Sequence, residues 1–325
     1  MSGKSGSAQA EELAGRLSRI LPGSPRVEIT GAASVGAQRS TLFVDRIVDG
    51  ERKPAVAQIA VGALETLDVE TQASLLRAAA EAKVPVPELL AWDADLHAIV
   101  TSRVEGESIP RRILRRVEAT PELGERLAED CGRALAATHA IPVAGLAGLP
   151  DLRDPLHYLD ELEGQLAELA TPVPALRLGL NWLRRNSPGP PPQEALVHGD
   201  FRNGNLLVAE AGLAAVLDWE LAHRGDPMED LAWLCLRTWR FGEDAREVGG
   251  FGELATLREA YEKAGGTWRE DRFRWWTVAR TAWWGLGLAR QAQVFLEGHS
   301  KSIVLAASGR RVVELEYDLL KLIGA

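Results

Sequence analysis

Cysteine is scarce in this chain of 325 residues: Cys131 and Cys235 are the only two. Both sit in apolar, helix-like patterns, so they build no disulfide framework and read as buried free thiols of a reducing compartment. Long apolar runs are missing as well. No stretch of eighteen or more uncharged apolar residues occurs, and the opening segment MSGKSGSAQA is small and polar, so neither a membrane span nor a signal peptide is expected. A basic excess is also lacking. With 46 Asp+Glu against 37 Lys+Arg, a net charge of −9, the chain has no overall positive character with which to neutralise a nucleic-acid backbone. These absences predict a cytoplasmic protein that binds neither membrane nor nucleic acid.

What is present is an ordinary globular composition, 46% hydrophobic and 26% charged, long enough for two lobes and a large core. Leu13, Leu17 and Ile20 recur at helical spacing and predict a short helix over 9–21, stopped by Pro22-Gly23. Over 26–61 the apolar residues fall into runs at 42–48 and 54–61 around Asp49-Gly50, a hairpin signal. A helix follows at 69–82, closed by Val84-Pro85-Val86-Pro87, and a further strand at 96–104 ends before Gly106. Beyond it the period turns helical. Thr120-Pro121 starts a helix that places Leu123, Leu127, Cys131 and Leu135 on one face, with further helices at 156–170 and 175–186. The breaker run 187–192 reads as a surface linker. Two short strands, 206–208 and 213–217, meet at a turn containing Gly212. From Met228 onward the chain is helical, and most of its ten tryptophans lie between Trp219 and Trp284. Those at Trp275, Trp276, Trp283 and Trp284 read chiefly as core, though they also suit an apolar acceptor wall.

The polar residues that interrupt these strands carry the chemistry. Asp200, in a loop leaving an apolar strand, is placed to accept a proton from a hydroxyl. Asn205 and Asp218 offer oxygen ligands of the kind Mg²⁺ takes while keeping waters and substrate phosphates. A hairpin between them brings the two together. Gly3-Lys4-Ser5 has the ending of a phosphate loop, but no strand feeds it. Asp226-Pro227-Met228-Glu229 reads as a helix start. Glu220 and His223 suit either a substrate-facing position or a solvated loop, and Arg111, Arg112, Arg115 and Arg116 suit a solvated helix face or an anionic acceptor.

His198-x-Asp200-x4-Asn205, with Asp218 thirteen residues further on, resembles the catalytic and metal-binding loops of the aminoglycoside phosphotransferase and choline kinase-like family. The likeness extends to Gly225-Asp226-Pro227-Met228-Glu229-Asp230-Leu231-Ala232, to Val84-Pro85-Val86-Pro87 and to Val104-Glu105-Gly106. Within the family, 107–114 and 218–223 look closest to the branch also found fused to acyl-CoA dehydrogenases. The resemblance implies an α+β, two-lobed protein kinase-like fold, with an antiparallel-sheet nucleotide lobe at 1–104 and a mainly helical catalytic lobe at 105–325. It implies a Mg²⁺-dependent kinase moving the γ-phosphoryl of ATP or GTP to a hydroxyl of a small molecule. Asp200 would be the base, His198 its support, and Asn205 and Asp218 the metal ligands. The backbone near Ser102 and Val104 would meet the nucleotide base.

Two positions depart from the family. The third strand should carry a Lys or Arg for the phosphates and has Gln58; the following helix should carry its Glu partner and has Gln72. Two amides can hydrogen-bond without net charge, so the paired loss is self-consistent. Arg39, in the 34–41 segment that resembles the phosphate-covering loop, is a candidate substitute cation. The missing ion pair also opens two other readings: a pseudokinase-like binding protein, or transfer of a different group such as a nucleotidyl group.

Overall fold

The apolar runs at 26–60 form a three-stranded meander, β1 (Arg26–Val35), β2 (Arg39–Val48) and β3 (Glu51–Ala60). A computed structural model describes residues 3–35, 39–60 and 67–325. Val48 pairs with Glu51, and the two residues between them, Asp49 (φ 52) and Gly50 (φ 82), both adopt positive φ. That is the turn an Asp-Gly pair favours, because its twist matches the strands it joins. The sheet continues through β5 (Ala98–Ser102) and ends at β4 (Leu89–Asp93), in the order β1-β2-β3-β5-β4 with every neighbour antiparallel. The strand expected at 96–104 is present as β5, and β4, just ahead of it, was not foreseen. Asp93 accepts the Leu96 N–H at 2.7 Å and His97 takes φ 47, making a tight reversal from residues that carry no Gly or Pro signal.

Helix α1 (Gly3–Ile20) begins earlier than the expected residue 9. Leu17 and Leu21 pack with Val27, Val44, Ala55, Ala57 and Val100 on one face of the sheet. Helix α2 (Val69–Glu81) lies toward the other lobe. Asp68 caps it, accepting the Thr71 N–H at 2.7 Å, which satisfies one of the orphan donors of the first turn. Its Leu75 and Leu76, with Val84 and Ile99, join the main core of the protein rather than the cluster under α1.

Past Gly106 come α3 (Pro110–Ala119), α4 (Pro121–His139), α5 (Pro155–Ala167) and α6 (Pro174–Arg185). Each opens on a proline, whose fixed φ suits the first helical position and whose missing N–H would have no partner there. Four short strands follow, β6 (Ala195–Val197), β7 (Leu206–Ala209), β8 (Gly212–Val216) and β9 (His223–Gly225), pairing as β6 with β9 and β7 with β8. The hairpin expected about Gly212 is present, and β6 is the apolar strand expected before Asp200; β9, of three residues, was not foreseen. Helices α7 (Met228–Cys235), α8 (Leu254–Lys263), α9 (Glu270–Leu296) and α10 (Ile303–Ile323) complete the larger lobe. The run at 187–192 is more than a linker, since the buried Arg272 donates to the carbonyls of Pro188 (3.1 Å) and Gly189 (2.9 Å). No helix among the described residues is long and apolar enough to cross a membrane.

Two contacts set one lobe against the other, and a further one ties the start of the larger lobe to β7. Glu107 and Val208 exchange both backbone hydrogen bonds at 2.9 Å. Gly106 permits this approach, because a Cβ there would stand 2.8 Å from Leu207 Cγ. The Val216 N–H donates to the Pro85 carbonyl at 2.7 Å, and the Leu67 N–H to that of Glu220 at 3.3 Å. The ends of β7 and β8 thus face the hinge.

Candidate active site

The lobes enclose a cleft of about 430 Å³. Phe43, Val56 and Gln58 from the sheet, Gln72 and Leu76 from α2, the hinge residues 101–106, and Asn205 and Asp218 from the loops flanking β7 and β8 all line it. The sequence had set these residues as far apart as Phe43 and Asp218; the antiparallel sheet and the β7-β8 hairpin bring them together.

The loop after β6 is built on buried carboxylates. Asp230, fully buried, accepts the His198 N–H (2.7 Å) on one oxygen and the Gly199 N–H (2.9 Å) on the other. His139 reaches the same carboxylate through Nε2 at 3.2 Å. Burial acts to raise the Asp230 pKa, but His139 and the His198 contacts outweigh it and hold the carboxyl below its usual range. Gly199 has φ 81, and a side chain there would run into the Leu221 carbonyl. The His198 ring accepts the Asp200 N–H on Nδ1 at 3.1 Å and meets the Leu217 carbonyl with Nε2 at 3.2 Å. The proton therefore sits on Nε2, and both nitrogens are engaged in joining the Asp200 loop to the strand that precedes Asp218. Burial pushes the imidazole pKa down, keeping it neutral.

Asp200 is held from three sides. Its Oδ1 accepts from Trp233 Nε1 (2.8 Å) and Arg202 Nε (2.9 Å), and its Oδ2 from Asn205 Nδ2 (2.6 Å). The carboxylate is fixed in plane, with Oδ2 carrying fewer donors. Asn205 also gives its amide to the Asp200 carbonyl (3.0 Å), so its nitrogen is committed and its oxygen end is left for another ligand. Asp218 follows β8 with φ 69, a left-handed backbone that costs a non-glycine residue about 1 kcal/mol. Both residues line the cleft. Among the described residues no group of three or more His, Cys, Asp or Glu could hold a metal. A cation between an amide oxygen and one carboxylate would draw its remaining ligands from phosphate and water, which is how Mg²⁺ binds. The donor set fits that ion.

The other expected residues fall as follows. Gln58 and Gln72 both line the cleft, and Gln72 donates Nε2 to the Leu67 carbonyl. Arg39 opens β2, but its side chain and residues 36–38 of the phosphate-covering segment lie outside the described ones. The Ser102 N–H is taken by the Glu88 carbonyl at 2.8 Å, which leaves Val104, beyond the strand end, as the better hinge contact for a base. His223 does not face substrate: it is buried, meeting the Leu221 carbonyl (2.9 Å) and Glu229 (3.1 Å). Burial lowers its pKa, yet the Glu229 charge and hydrogen bond more than reverse this, so the net shift is upward. Of the arginines on α3, Arg112 pairs with Glu107 (3.4 Å) and Arg116 donates to the Val208 carbonyl (3.0 Å), while Arg111 and Arg115 are exposed. Asp226 does accept a first-turn amide, Met228 N at 3.0 Å, and also binds Arg272 and Trp276.

Four residues in this arrangement had escaped the sequence reading: Arg202, Asp230, Trp233 and Arg280. Arg280, on α9, joins Glu229 (3.0 Å) to the Gly199 carbonyl (2.7 Å). Asp230 had a visible signal, since a carboxylate inside the apolar run Met228 to Ala232 must find partners or not be charged. Trp233 and Arg280 lie on separate helices, and nothing local marks them, whereas Arg202 stands two residues past Asp200 inside the loop already singled out.

A model of the phosphotransferase enzyme family matches residues 35–276, most of the chain. The chain belongs to the phosphotransferase enzyme family. Acyl-CoA dehydrogenase family member 11 of Gallus gallus is 31% identical over 233 residues, which cover 67% of this chain and 29% of that protein. The chain thus spans less than a third of the length of this relative, and the resemblance expected with the acyl-CoA dehydrogenase-linked branch is met. Among solved structures, a putative aminoglycoside phosphotransferase from Ralstonia eutropha superposes with a TM-score of 0.74 at 19% identity, covering 97% of this chain and 98% of that one. A spectinomycin phosphotransferase, solved with ADP and spectinomycin, gives a TM-score of 0.66 at 14% identity, covering 96% and 98%. The fold of this phosphotransferase-family member is the two-lobed, kinase-like α+β arrangement, as expected.

Proposed function

We propose that the protein moves the γ-phosphoryl group of ATP or GTP to a hydroxyl of a small molecule, with Asp200 as the base. The observation that carries this reading is the immobilised Asp200 carboxylate, hydrogen-bonded to Asn205, which together with Asp218 lines the interlobe cleft. An acceptor hydroxyl placed on Asp200 Oδ2 gives its proton to the carboxylate as its oxygen bonds to phosphorus, the bond from phosphorus to the bridging oxygen breaks, and the nucleoside diphosphate leaves. Asn205 and Asp218 would hold Mg²⁺, whose charge offsets that of the triphosphate when it is bound. His198 supports the loop and transfers no proton, because both of its nitrogens are engaged. The Val104 backbone would meet the base edge.

Calorimetry with ATP and GTP, with and without Mg²⁺, tests the cleft, and product mass over an acceptor screen tests the transfer. Metal-dependent binding that Asp218→Ala abolishes, with product that Asp200→Asn reduces about 10²-fold or more, is the expected result. Binding of neither nucleotide at millimolar concentration overturns it. Gln58 and Gln72 on the cleft wall favour one second reading, a nucleotide-binding protein without turnover, which metal-dependent binding with no product of any acceptor would support.

A further inference from the structure

We infer that Arg280, on α9, is a positioning residue that aims the Asp200 carboxylate through two groups it holds at once: the peptide just ahead of Asp200 and an indole that bonds the carboxylate. This deepens the transferase reading and rests on it, since the aim of Asp200 matters to the reaction only if Asp200 is the base. The Arg280 side chain is buried, with 4% of the residue exposed. Its Nη2 donates to the Gly199 carbonyl at 2.7 Å and its Nη1 to Glu229 at 3.0 Å. The guanidinium carbon also lies 4.2 Å from the ring centroids of both Trp233 and Trp283.

The first route is the backbone. Gly199 has φ 81, and a glycine lets the peptide that follows it turn over with little resistance. That peptide is held at both of its polar groups, the carbonyl by Arg280 and the Asp200 N–H by His198 Nδ1 at 3.1 Å. The Gly199 N–H goes to Asp230 on α7, so two helices fix one glycine between them. Without the Arg280 bond the carbonyl is free to swing, and the Cα–Cβ bond of Asp200 turns with it. The second route is the indole. Trp233 Nε1 donates to Asp200 Oδ1 at 2.8 Å, and the tilt of that ring is set by edge-on contacts with Trp239, Trp283 and Trp284 and by the cation lying against it. Two of the constraints on Asp200 therefore run back to one guanidinium. A planar fork can serve Gly199 and Glu229 together while lying against both rings, whereas the compact ammonium of a lysine cannot. A buried ion pair adds little stability over apolar residues of the same volume, so the use of this cation lies in what it places.

Arg280→Lys separates placement from charge, because it keeps a cation beside Glu229 and gives up the fork; Arg280→Met removes both. Circular-dichroism melting shows whether each variant is folded, and if Arg280→Met is not, Arg280→Lys decides. Two readouts are taken on the full chain. One is the position of the Trp233 indole N–H among the ten indole signals in heteronuclear NMR, identified by its loss in Trp233→Phe. The other is the kinetics of slow hydrolysis of ATP with Mg²⁺, water standing in for the acceptor. Arg280→Lys is expected to move the Trp233 signal toward its position in Asp200→Asn and to lower kcat about tenfold or more, with KM for ATP within about twofold of the parent. Arg280→Met should go further in both. A cation needed only for the fold would leave Arg280→Lys with the parent signal and the parent kcat. In the folded Arg280→Lys protein, an unmoved Trp233 signal overturns the inference, and so does a rise in KM with kcat unchanged. If the parent shows neither hydrolysis nor product with any acceptor, the base reading falls by itself, and the Trp233 signal alone then decides whether Arg280 aims the carboxylate: moved, it supports the coupling, and unmoved, it overturns it.

Discussion

His198 and His223 lie twenty-five positions apart, both buried, and their environments move their affinities for a proton in opposite directions. For His198 the folded value is depressed, so its contribution to stability is present above the ordinary imidazole value of about 6.5 and is lost as pH falls through the folded value. For His223 the folded value is raised. Its contribution is full below about 6.5 and fades as pH rises through that higher value. His223→Gln is accordingly expected to flatten the alkaline side of a plot of urea midpoint against pH while leaving the acid side as it was. A loss of equal size at all pH values would show that the ring acts only by packing. At the same scale the cysteines behave as the sequence implied: both are free and buried, and burial pushes the Cys235 thiol up to about 12. Slow reaction of the native protein with a thiol reagent at neutral pH is expected, with both groups reacting on unfolding.

At the scale of elements, α7 is the part that orders the loop carrying His198 and Asp200. Two of its carboxylates and one just ahead of it point into the core: Glu229 to Arg280 and His223, Asp230 to the loop backbone, and the preceding Asp226 to Arg272 and Trp276. Asp230→Asn replaces one accepting oxygen by an amide that opposes a backbone N–H. It should cost about 1–3 kcal/mol and lower kcat far more than it alters nucleotide affinity, read by denaturant unfolding and calorimetry together. Helix α4 shows a different device. Gly132 lies so close to α8 that a Cβ would stand 2.7 Å from the Leu257 carbonyl and 2.8 Å from Ala260 Cβ, so Gly132→Ala should destabilise by about 1–3 kcal/mol despite its better helix propensity. The apolar stripe Leu123, Leu127, Cys131 and Leu135 was legible because it follows the helical period. The adjoining glycines were not, since a close approach depends on what packs there. Likewise the spacing from His198 to Asp218 is local and could be read, whereas Trp233 and Arg280 reach Asp200 and Gly199 from helices whose placement only the fold determines. β4 and β9 were missed because β4 is half-buried along its whole length and β9 has only three residues, so neither shows the alternation that marks a strand.

For the molecule as a whole, the division of the core differs from the division of the chain at residue 104. Leu75, Leu76, Val84 and Ile99 belong to the same buried cluster as the large lobe, and a separate cluster lies under α1. Leu75→Ala and Leu17→Ala should each cost about 2–5 kcal/mol, but with different reach. Hydrogen exchange should report loss of protection across both lobes for Leu75→Ala and only in the sheet for Leu17→Ala. The left-handed backbone at Asp218 has a consequence of the same breadth. Glycine adopts that conformation without steric penalty, so Asp218→Gly is expected to melt at or slightly above the parent temperature, by up to about 1 kcal/mol of stability, while binding no metal-nucleotide. Selection of this protein for thermal resistance alone would then enrich inactive molecules, and a heat-challenged library would have to be counter-screened for nucleotide binding to keep the carboxylate at that position.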